Sequence, residues 1–158
     1  MKLKILSLFA ISILLVSMFQ SCEKENDDDD KENETNISSN GDDESHNMGM
    51  NCMNCHLKGG DGKGWFNIAG TVYDSILTNT YPNAIVKLYT GPNASGTLKG
   101  SIEVDQLGNF YTTENIDFGN GLYPSVEGQN MTNFMSSPIT KGECNTCHGV
   151  SVSKIWTK

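Results

Sequence analysis

The sequence predicts a mainly β fold: a small antiparallel β-sandwich flanked by two short cysteine-containing segments, with a disordered acidic tether at the N-terminus. Three observations predict it. Short β-rich runs separated by turn residues fill the middle of the chain. Four of the 5 cysteines lie outside those runs, in two short motifs. Most of the acidic residues lie before residue 46. The 158 residues are enough for one domain.

The N-terminus has the features of an export signal. Two lysines precede a mainly apolar run over residues 5–19, which is shorter than the roughly 20 residues of a membrane-spanning helix. The run ends at Phe19-Gln20-Ser21-Cys22, which resembles the processing site of a bacterial lipoprotein. This resemblance implies a signal peptide over residues 1–21 and a lipid on Cys22 that anchors the protein to a membrane. The alternative is an ordinary secretory signal followed by an unrelated thiol.

Residues 22–45 are expected to form an acidic disordered linker. They hold 11 acidic residues, 2 lysines and a single aliphatic residue, Ile37, so they cannot bury enough apolar area to offset the entropy of ordering. Acidic residues directly after a lipidated cysteine also resemble the signal that sends some Gram-negative lipoproteins to the outer cell surface. We therefore expect an outer-membrane lipoprotein exposed on the cell surface, with a periplasm-facing anchor as the alternative.

The charge of the chain argues against a nucleic-acid partner. The formal net charge is -8 and the sequence contains no arginine, whereas nucleic-acid binding needs a basic face. The acidity also belongs to the linker, because residues 46–158 hold 8 acidic residues and 7 lysines. We therefore expect a small molecule or another protein as the partner.

Two C-x-x-C-H motifs, at residues 52–56 and 144–148, carry the chemistry of the sequence. This pattern is the signature of c-type haem attachment. Two thiols at this spacing form thioethers with the haem vinyl groups, and the adjacent histidine reaches the iron. We therefore expect two covalent c-type haems in segments 46–65 and 129–158, with these roles: covalent attachment by Cys52, Cys55, Cys144 and Cys147, and proximal iron ligation by His56 and His148.

Three other readings of the motifs stay open. A shared zinc site is disfavoured because residues 57–143, 87 in all, separate the motifs, far more than the roughly 15 to 20 of a zinc ribbon. Simple disulfides suit an oxidising compartment but leave the histidines unexplained. A thioredoxin-like redox pair would need a βαβ context that the chain lacks.

The second axial ligand of each iron has few candidates. Residues 57–64 resemble the Gly-rich turn after the haem motif of small class I cytochromes c, but the segment with that family's methionine ligand does not follow. His46 is the only other histidine, and we take it as the candidate for one haem. Met131 and Met135 are candidates for the other, although methionine more often fills a gap in a core. A water ligand or a ligand from a neighbouring chain is the alternative.

Residues 66–128 are predicted to form the sandwich. The predicted strands cover residues 66–73, 84–90, 97–104, 109–113 and 122–127. The stretches 70–74, 82–88, 104–111 and 121–124 resemble the carboxypeptidase regulatory-like, transthyretin-like β-sandwich family. The resemblance implies a non-catalytic accessory module, in keeping with a stretch that contains neither histidine nor cysteine.

The sequence thus predicts a membrane-anchored di-haem cytochrome that passes single electrons at or near the outer cell surface. We expect an electron carrier and no enzyme, since no acid–base or nucleophile cluster accompanies the motifs, although an open iron position would allow peroxidase-like activity. A homo-oligomer or a larger cytochrome assembly is compatible with the sequence. The alternative function is a non-redox binding or adhesion lipoprotein stapled by disulfides or a structural zinc.

Overall fold

The computed structural model of the protein describes Asn33 and residues 35–158. The predicted signal peptide, the lipidation site at Cys22 and most of the linker lie outside the described residues. Within the described part of the chain, no helix is long and apolar enough to cross a membrane.

The described residues form eight strands and two one-turn 3-10 helices. The strands are β1 (Ile68–Tyr73), β2 (Ile85–Tyr89), β3 (Leu98–Glu103), β4 (Asn109–Thr112), β5 (Tyr123–Glu127), β6 (Thr132–Phe134), β7 (Gly142–Glu143) and β8 (Ile155–Trp156). The 3-10 helices are Cys52–Asn54 and Cys144–Thr146. The mainly β fold is confirmed, and β1 to β5 match the five predicted strands. The last three strands were not expected, because pieces of two or three residues are too short to show alternation.

The strands form two sheets. The first has the order β3-β2-β5-β6 and is antiparallel throughout. The second is built on β1, which pairs antiparallel with β4 and parallel with both β7 and β8. The antiparallel expectation is therefore correct for the first six strands, while the second C-x-x-C-H segment adds two short parallel pairs along β1.

The hydrophobic core lies between the two sheets. Alternation in β2 buries Val86 and Leu88 while the intervening Lys87 is half-exposed, as expected for a strand with one face on the core. Buried residues of both sheets form one cluster: Ile68, Val72, Ala84, Val86, Leu88, Ile102, Val104, Phe110, Leu122 and Val126. Every residue of β1 is buried, because its outer face is also covered. The segments that hold the two motifs cover it.

Part of the expected linker packs on the sandwich. Ile37 forms an isolated bridge with Thr112 of β4, and Ser38 is 1% exposed. The Ser38 hydroxyl donates to the carbonyl oxygen of Glu103 at 2.6 Å. The prediction of a disordered linker therefore does not hold for residues 36–42, whose polar side chains and backbone bond to the sheet instead of to water. This segment covers the edge of β4, which would otherwise present unpaired backbone groups.

Candidate functional site

The two C-x-x-C-H motifs adopt the same local conformation. In each, the first two residues after the leading cysteine complete a 3-10 turn and the second cysteine ends it with αR backbone angles. The histidine N–H donates to the carbonyl oxygen of the first cysteine at 3.0 Å in both motifs. Side chains three residues apart eclipse in a 3-10 turn, so the two thiols of each motif lie on the same side. The repeated sequence pattern therefore produces a repeated arrangement of two sulfur atoms and one imidazole.

Both motif histidines are held through Nδ1. His56 Nδ1 lies 3.0 Å from the carbonyl oxygen of Lys63, and His148 Nδ1 lies 2.6 Å from that of Ser153. A carbonyl oxygen only accepts, so Nδ1 carries the proton and Nε2 keeps its lone pair. Within residues 35–158, neither Nε2 has a hydrogen-bond partner. Metal-binding histidines in proteins show this arrangement, in which one ring nitrogen is anchored and the other faces the metal.

The imidazole of His56 is also fixed by its packing. Its ring stacks on Phe66, and Phe66 in turn stacks on Tyr111 of β4 with ring centroids 4.7 Å apart. The Gly-rich turn folds back over the motif, since the Gly62 N–H donates to the carbonyl oxygen of Cys55 at 2.9 Å. A Cβ atom on Gly62 would lie 2.8 Å from His56 Nδ1, so this turn needs a glycine for the ring to keep its place.

The four motif cysteines differ in their environment. Cys52 and Cys144 are half-buried and Cys147 is exposed, and all three are free thiols. Cys55 is disulfide-bonded. Neither motif is therefore closed by a disulfide between its own two cysteines. Burial raises the pKa of the Cys144 thiol to about 12, with a smaller contribution from the neighbouring Cys52, and burial also raises the pKa of Cys52. Both half-buried thiols are thus protonated at neutral pH.

The structure brings His46 close to the first motif. The ring centroids of His46 and His56 are 6.0 Å apart, with the planes inclined at 42°. A metal binds an imidazole nitrogen at about 2 Å, and this nitrogen is about 1 Å from the ring centre, so two rings on opposite sides of one iron have centroids roughly 6 Å apart. The observed separation fits a pair of axial ligands.

The methionine candidates lie elsewhere in the fold. Met131 and Met135 flank β6, at the edge of the first sheet. The second motif packs against β1 in the other sheet. The structure therefore brings His46 close to His56. It places Met131 and Met135 at the sheet opposite the one against which the second motif packs.

A buried hydrogen-bond network joins both motif segments to β1. The Asn145 side chain, between the two cysteines of the second motif, donates to Thr71 Oγ1 at 3.0 Å and accepts from the Thr71 N–H at 3.2 Å. Thr71 Oγ1 also accepts from the Gly49 N–H at 2.8 Å and donates to Asn109 Oδ1 at 2.7 Å. The Asn109 amide then donates to the carbonyl oxygen of His46 at 3.1 Å.

The sequence does not reveal this network. Thr71 lies in a mainly apolar run whose pattern predicts only a strand. Asn109 follows a predicted turn, where asparagine is common because its side chain bonds to nearby backbone. Asn145 is one of two variable residues inside a C-x-x-C-H motif, and only its burial at 5% exposure shows that it has a partner. A buried asparagine is uncommon unless its amide is hydrogen-bonded.

An open cleft with about 280 Å³ of empty space lies beside the second motif. His148, Asn145, Tyr73 and Lys154 are among the residues that line it. The Lys154 ammonium sits 3.9 Å from the centre of the Tyr73 ring and donates to the carbonyl oxygen of Leu77. The cleft thus combines an imidazole ligand, an aromatic wall and one fixed cation.

The donor set suits haem better than a bare metal ion. Among the described residues, no group of three or more His, Cys, Asp or Glu side chains is placed to hold a metal ion. A zinc ion takes three or four protein ligands, and the described motif thiols and imidazoles are not grouped to supply them. Haem iron takes four of its ligands from the porphyrin and needs only axial ligands from the protein.

Comparison with protein-family models, with curated proteins and with solved structures found no match for this chain.

Proposed function

We propose that the protein is an electron carrier, a di-haem c-type cytochrome anchored to the membrane through a lipid on Cys22. The observation that carries the proposal is the pair of motif histidines, each with Nδ1 on a backbone carbonyl and Nε2 free among the described residues. Each of the two imidazoles follows a pair of cysteines in the same 3-10 turn. Disulfides leave the histidines without a role, and the motif thiols and imidazoles are not grouped to hold a metal ion among the described residues.

The roles of the residues follow from this arrangement. Cys52 and Cys55 hold one macrocycle, and Cys144 and Cys147 hold the other, by thioether bonds to the vinyl groups. His56 and His148 provide the proximal imidazoles, and haem itself supplies the one-electron chemistry of iron. The carbonyl oxygens of Lys63 and Ser153 orient the two rings and keep their protons on Nδ1.

The first site has a second imidazole at a suitable distance. We assign His46 as the second axial ligand of the haem held by His56, on the separation of the two rings. For the second haem, Met131 and Met135 are the candidates from the sequence, but they flank β6 in the opposite sheet, so water or a ligand from a neighbouring chain is the alternative. A thioether ligand would raise the reduction potential relative to the first site. Lys154 in the cleft beside His148 is placed to pair with a carboxylate, such as a haem propionate.

The disulfide at Cys55 favours a second candidate function. In that alternative the chain is a non-redox binding or adhesion lipoprotein cross-linked by disulfides or a structural zinc. The disulfide at Cys55 is the one such cross-link among the described residues, since Cys52, Cys144 and Cys147 are free. Attachment of haem at the first motif requires Cys55 as a thiol, so the disulfide must be reduced before the thioether forms. The electron carrier thus needs Cys55 as a thioether, whereas the binding or adhesion protein keeps Cys55 in a disulfide.

The expected partners follow from the anchor and from the redox chemistry. The acidic residues after Cys22 resemble a surface-export signal and support a location at the outer membrane, at the cell surface or facing the periplasm. Redox proteins, or an extracellular electron donor or acceptor, would exchange single electrons with the two haems. The carboxypeptidase regulatory-like module would serve as the scaffold between them.

Spectroelectrochemical titration tests the proposal. The chain is produced in a bacterial host that matures c-type cytochromes, and its absorbance is followed while the applied potential is swept in both directions. We expect a reversible Soret change that accounts for one electron per haem. A Cys144→Ser/Cys147→Ser variant should show half the signal. A colourless protein with its disulfide intact would overturn the proposal and support the alternative function.

A further inference from the structure

We infer that Asn145 is a positioning residue that links the two haem-attachment motifs into one unit and so sets the spacing between the two haems. The inference rests on the proposed function and goes further, because the motifs are far apart in the sequence and nothing in their pattern says how close they lie. The contacts of one side chain carry it.

The link runs through one backbone oxygen. The carbonyl oxygen of Met50 accepts a hydrogen bond of 2.8 Å from Asn145 Nδ2, and the Cys52 thiol lies 3.7 Å from the same oxygen. Asn145 directly follows Cys144 in the chain. Met50 lies two residues before Cys52, so the amide of Asn145 holds the residue after one leading cysteine against the segment that carries the other. This contact does not need a free thiol, so it persists when Cys52 forms a thioether.

The link is buried and tightly held. Asn145 is 5% exposed and Thr71 is 1% exposed, so the amide is shielded from water on the outer face of β1. Its oxygen and its nitrogen both bond to Thr71, which fixes the orientation of the amide toward Met50. Breaking such a network leaves buried polar groups without partners, which destabilises the fold. The second motif is also tied to the core, since a Cβ on Gly70 would lie 2.9 Å from Cys144 Cβ.

The consequence is an interacting pair of haems. Because each porphyrin edge is bonded to its leading cysteine, the two macrocycles start from adjacent positions. Two charged iron centres in a partly buried setting influence each other's potential, because the effective dielectric constant there is well below that of water. The unpaired electrons of the two oxidised irons also interact at short range. The reduction potentials and the magnetic resonance spectra of two closely attached haems therefore differ measurably from those of two isolated haems.

Electron paramagnetic resonance of the oxidised protein tests this inference. The reference spectra come from two single-haem variants, Cys52→Ser/Cys55→Ser and Cys144→Ser/Cys147→Ser. We expect the spectrum of the two-haem protein to differ from the sum of the single-haem spectra by broadening or splitting. A two-haem spectrum equal to that sum would overturn the inference. This result would leave the proposed function intact, whereas a chain without haem would refute the function itself.

Substitution of Asn145 tests its role as the link. We expect Asn145→Ala to retain two haems and to lose the interaction signal. Asn54→Ala is the matched control, because Asn54 occupies the first motif but is exposed, and among the described residues its side chain bonds only to Asn51, just before the motif. It should keep the interaction signal. If Asn145→Ala does not fold, Asn145→Asp replaces it, because its carboxylate keeps the shape of the amide and can accept from the Thr71 N–H but cannot donate to Met50. An unchanged interaction signal in a folded two-haem Asn145 variant would show that Asn145 does not set the spacing.

Discussion

The imidazole of His56 stacks on the ring of Phe66, with centroids 4.2 Å apart and planes only 8° from parallel. This contact joins the first C-x-x-C-H motif to the start of the sandwich, since Phe66 lies two residues before β1. The ring of Phe66 also stacks on Tyr111, so the imidazole is the outer member of a three-ring stack. The ligand therefore takes its orientation from the fold as well as from its hydrogen bond to a carbonyl.

Loss of this stack should destabilise the fold measurably. Aromatic pairs contribute about 0.5–1.5 kcal/mol beyond the area they bury. We expect Phe66→Leu, which keeps an apolar side chain, to lower the free energy of unfolding by about 1 kcal/mol in urea denaturation. Phe134→Leu is the control, because Phe134 is 45% exposed on β6 and its replacement should change stability by less than about 0.5 kcal/mol. Equal effects of the two substitutions would contradict the structural role of the stack.

Gly62 should be required for haem attachment at the first motif alone. A Cβ at this position would lie 2.8 Å from His56 Nδ1 and 2.9 Å from Cε1, closer than side chains approach, so the imidazole must move away from its carbonyl partner. We expect Gly62→Ala to reduce haem occupancy at the first motif while the second keeps its haem, as measured by peptide mass mapping. The exposed neighbour provides the control Asp61→Ala, which should carry both haems. Full occupancy in Gly62→Ala would contradict the expected displacement.

Removal of His46 should open one iron position. We expect His46→Ala to convert the first haem from low-spin to high-spin and to let it bind added imidazole, which would restore the low-spin spectrum. The reason is the 6.0 Å separation of the His46 and His56 rings, which fits two axial ligands of one iron. Absorption spectroscopy of the oxidised protein measures the change, with Glu44→Gln as an exposed neighbouring control. A low-spin first haem in His46→Ala without added ligand would rule out this assignment.

The free energy of unfolding of the haem-free chain should fall in alkali as the Cys144 thiol ionises. The haem-bearing protein should lack this contribution. Burial raises the pKa of the Cys144 thiol from 9.0 to about 12 in the folded chain. The folded form therefore holds this proton more tightly than the unfolded form. This contribution to stability is complete below pH 9 and is lost as the pH rises from 9 towards 12. The slope is at most about 1.4 kcal/mol per pH unit for one proton.

Urea denaturation at several alkaline pH values measures this slope. A thioether at Cys144 has no proton to lose, so the haem-bearing protein should lack the contribution. Haem-free Cys144→Ser should lack it as well, and it controls for the lysines and tyrosines that titrate in the same range. The same alkaline slope in the haem-free chain and in its Cys144→Ser variant would contradict the assignment to this thiol.

The fold was largely predictable from the sequence because turn residues separate its β-rich runs and because β2 alternates clearly. Val86 and Leu88 alternate with Ile85 and Lys87 in β2, and this period of two identifies a half-buried strand without knowledge of its partners. The short strands β7 and β8 carry no such signal. They exist because β1 offers free backbone groups along its edges, which is a property of the assembled sheet.

The site was predictable only in part, for a related reason. The motif cysteines and histidines are local in sequence, so their spacing is informative by itself. The nearness of His46 to His56 could be suspected from their separation of ten residues. The link between Asn145 and Met50 could not, since it joins residues 95 apart through β1 and depends on which face of that strand each segment covers.

Intact-mass spectrometry of the mature protein tests the central claim most directly. The protein is isolated from a host able to mature c-type cytochromes, denatured so that only covalent groups remain, and weighed beside a Cys52→Ser/Cys55→Ser variant and a variant with all four motif cysteines changed to serine. We predict the mass of two haems on the parent chain, of one haem on the first variant and of none on the second. A parent chain that carries no haem mass would contradict the account.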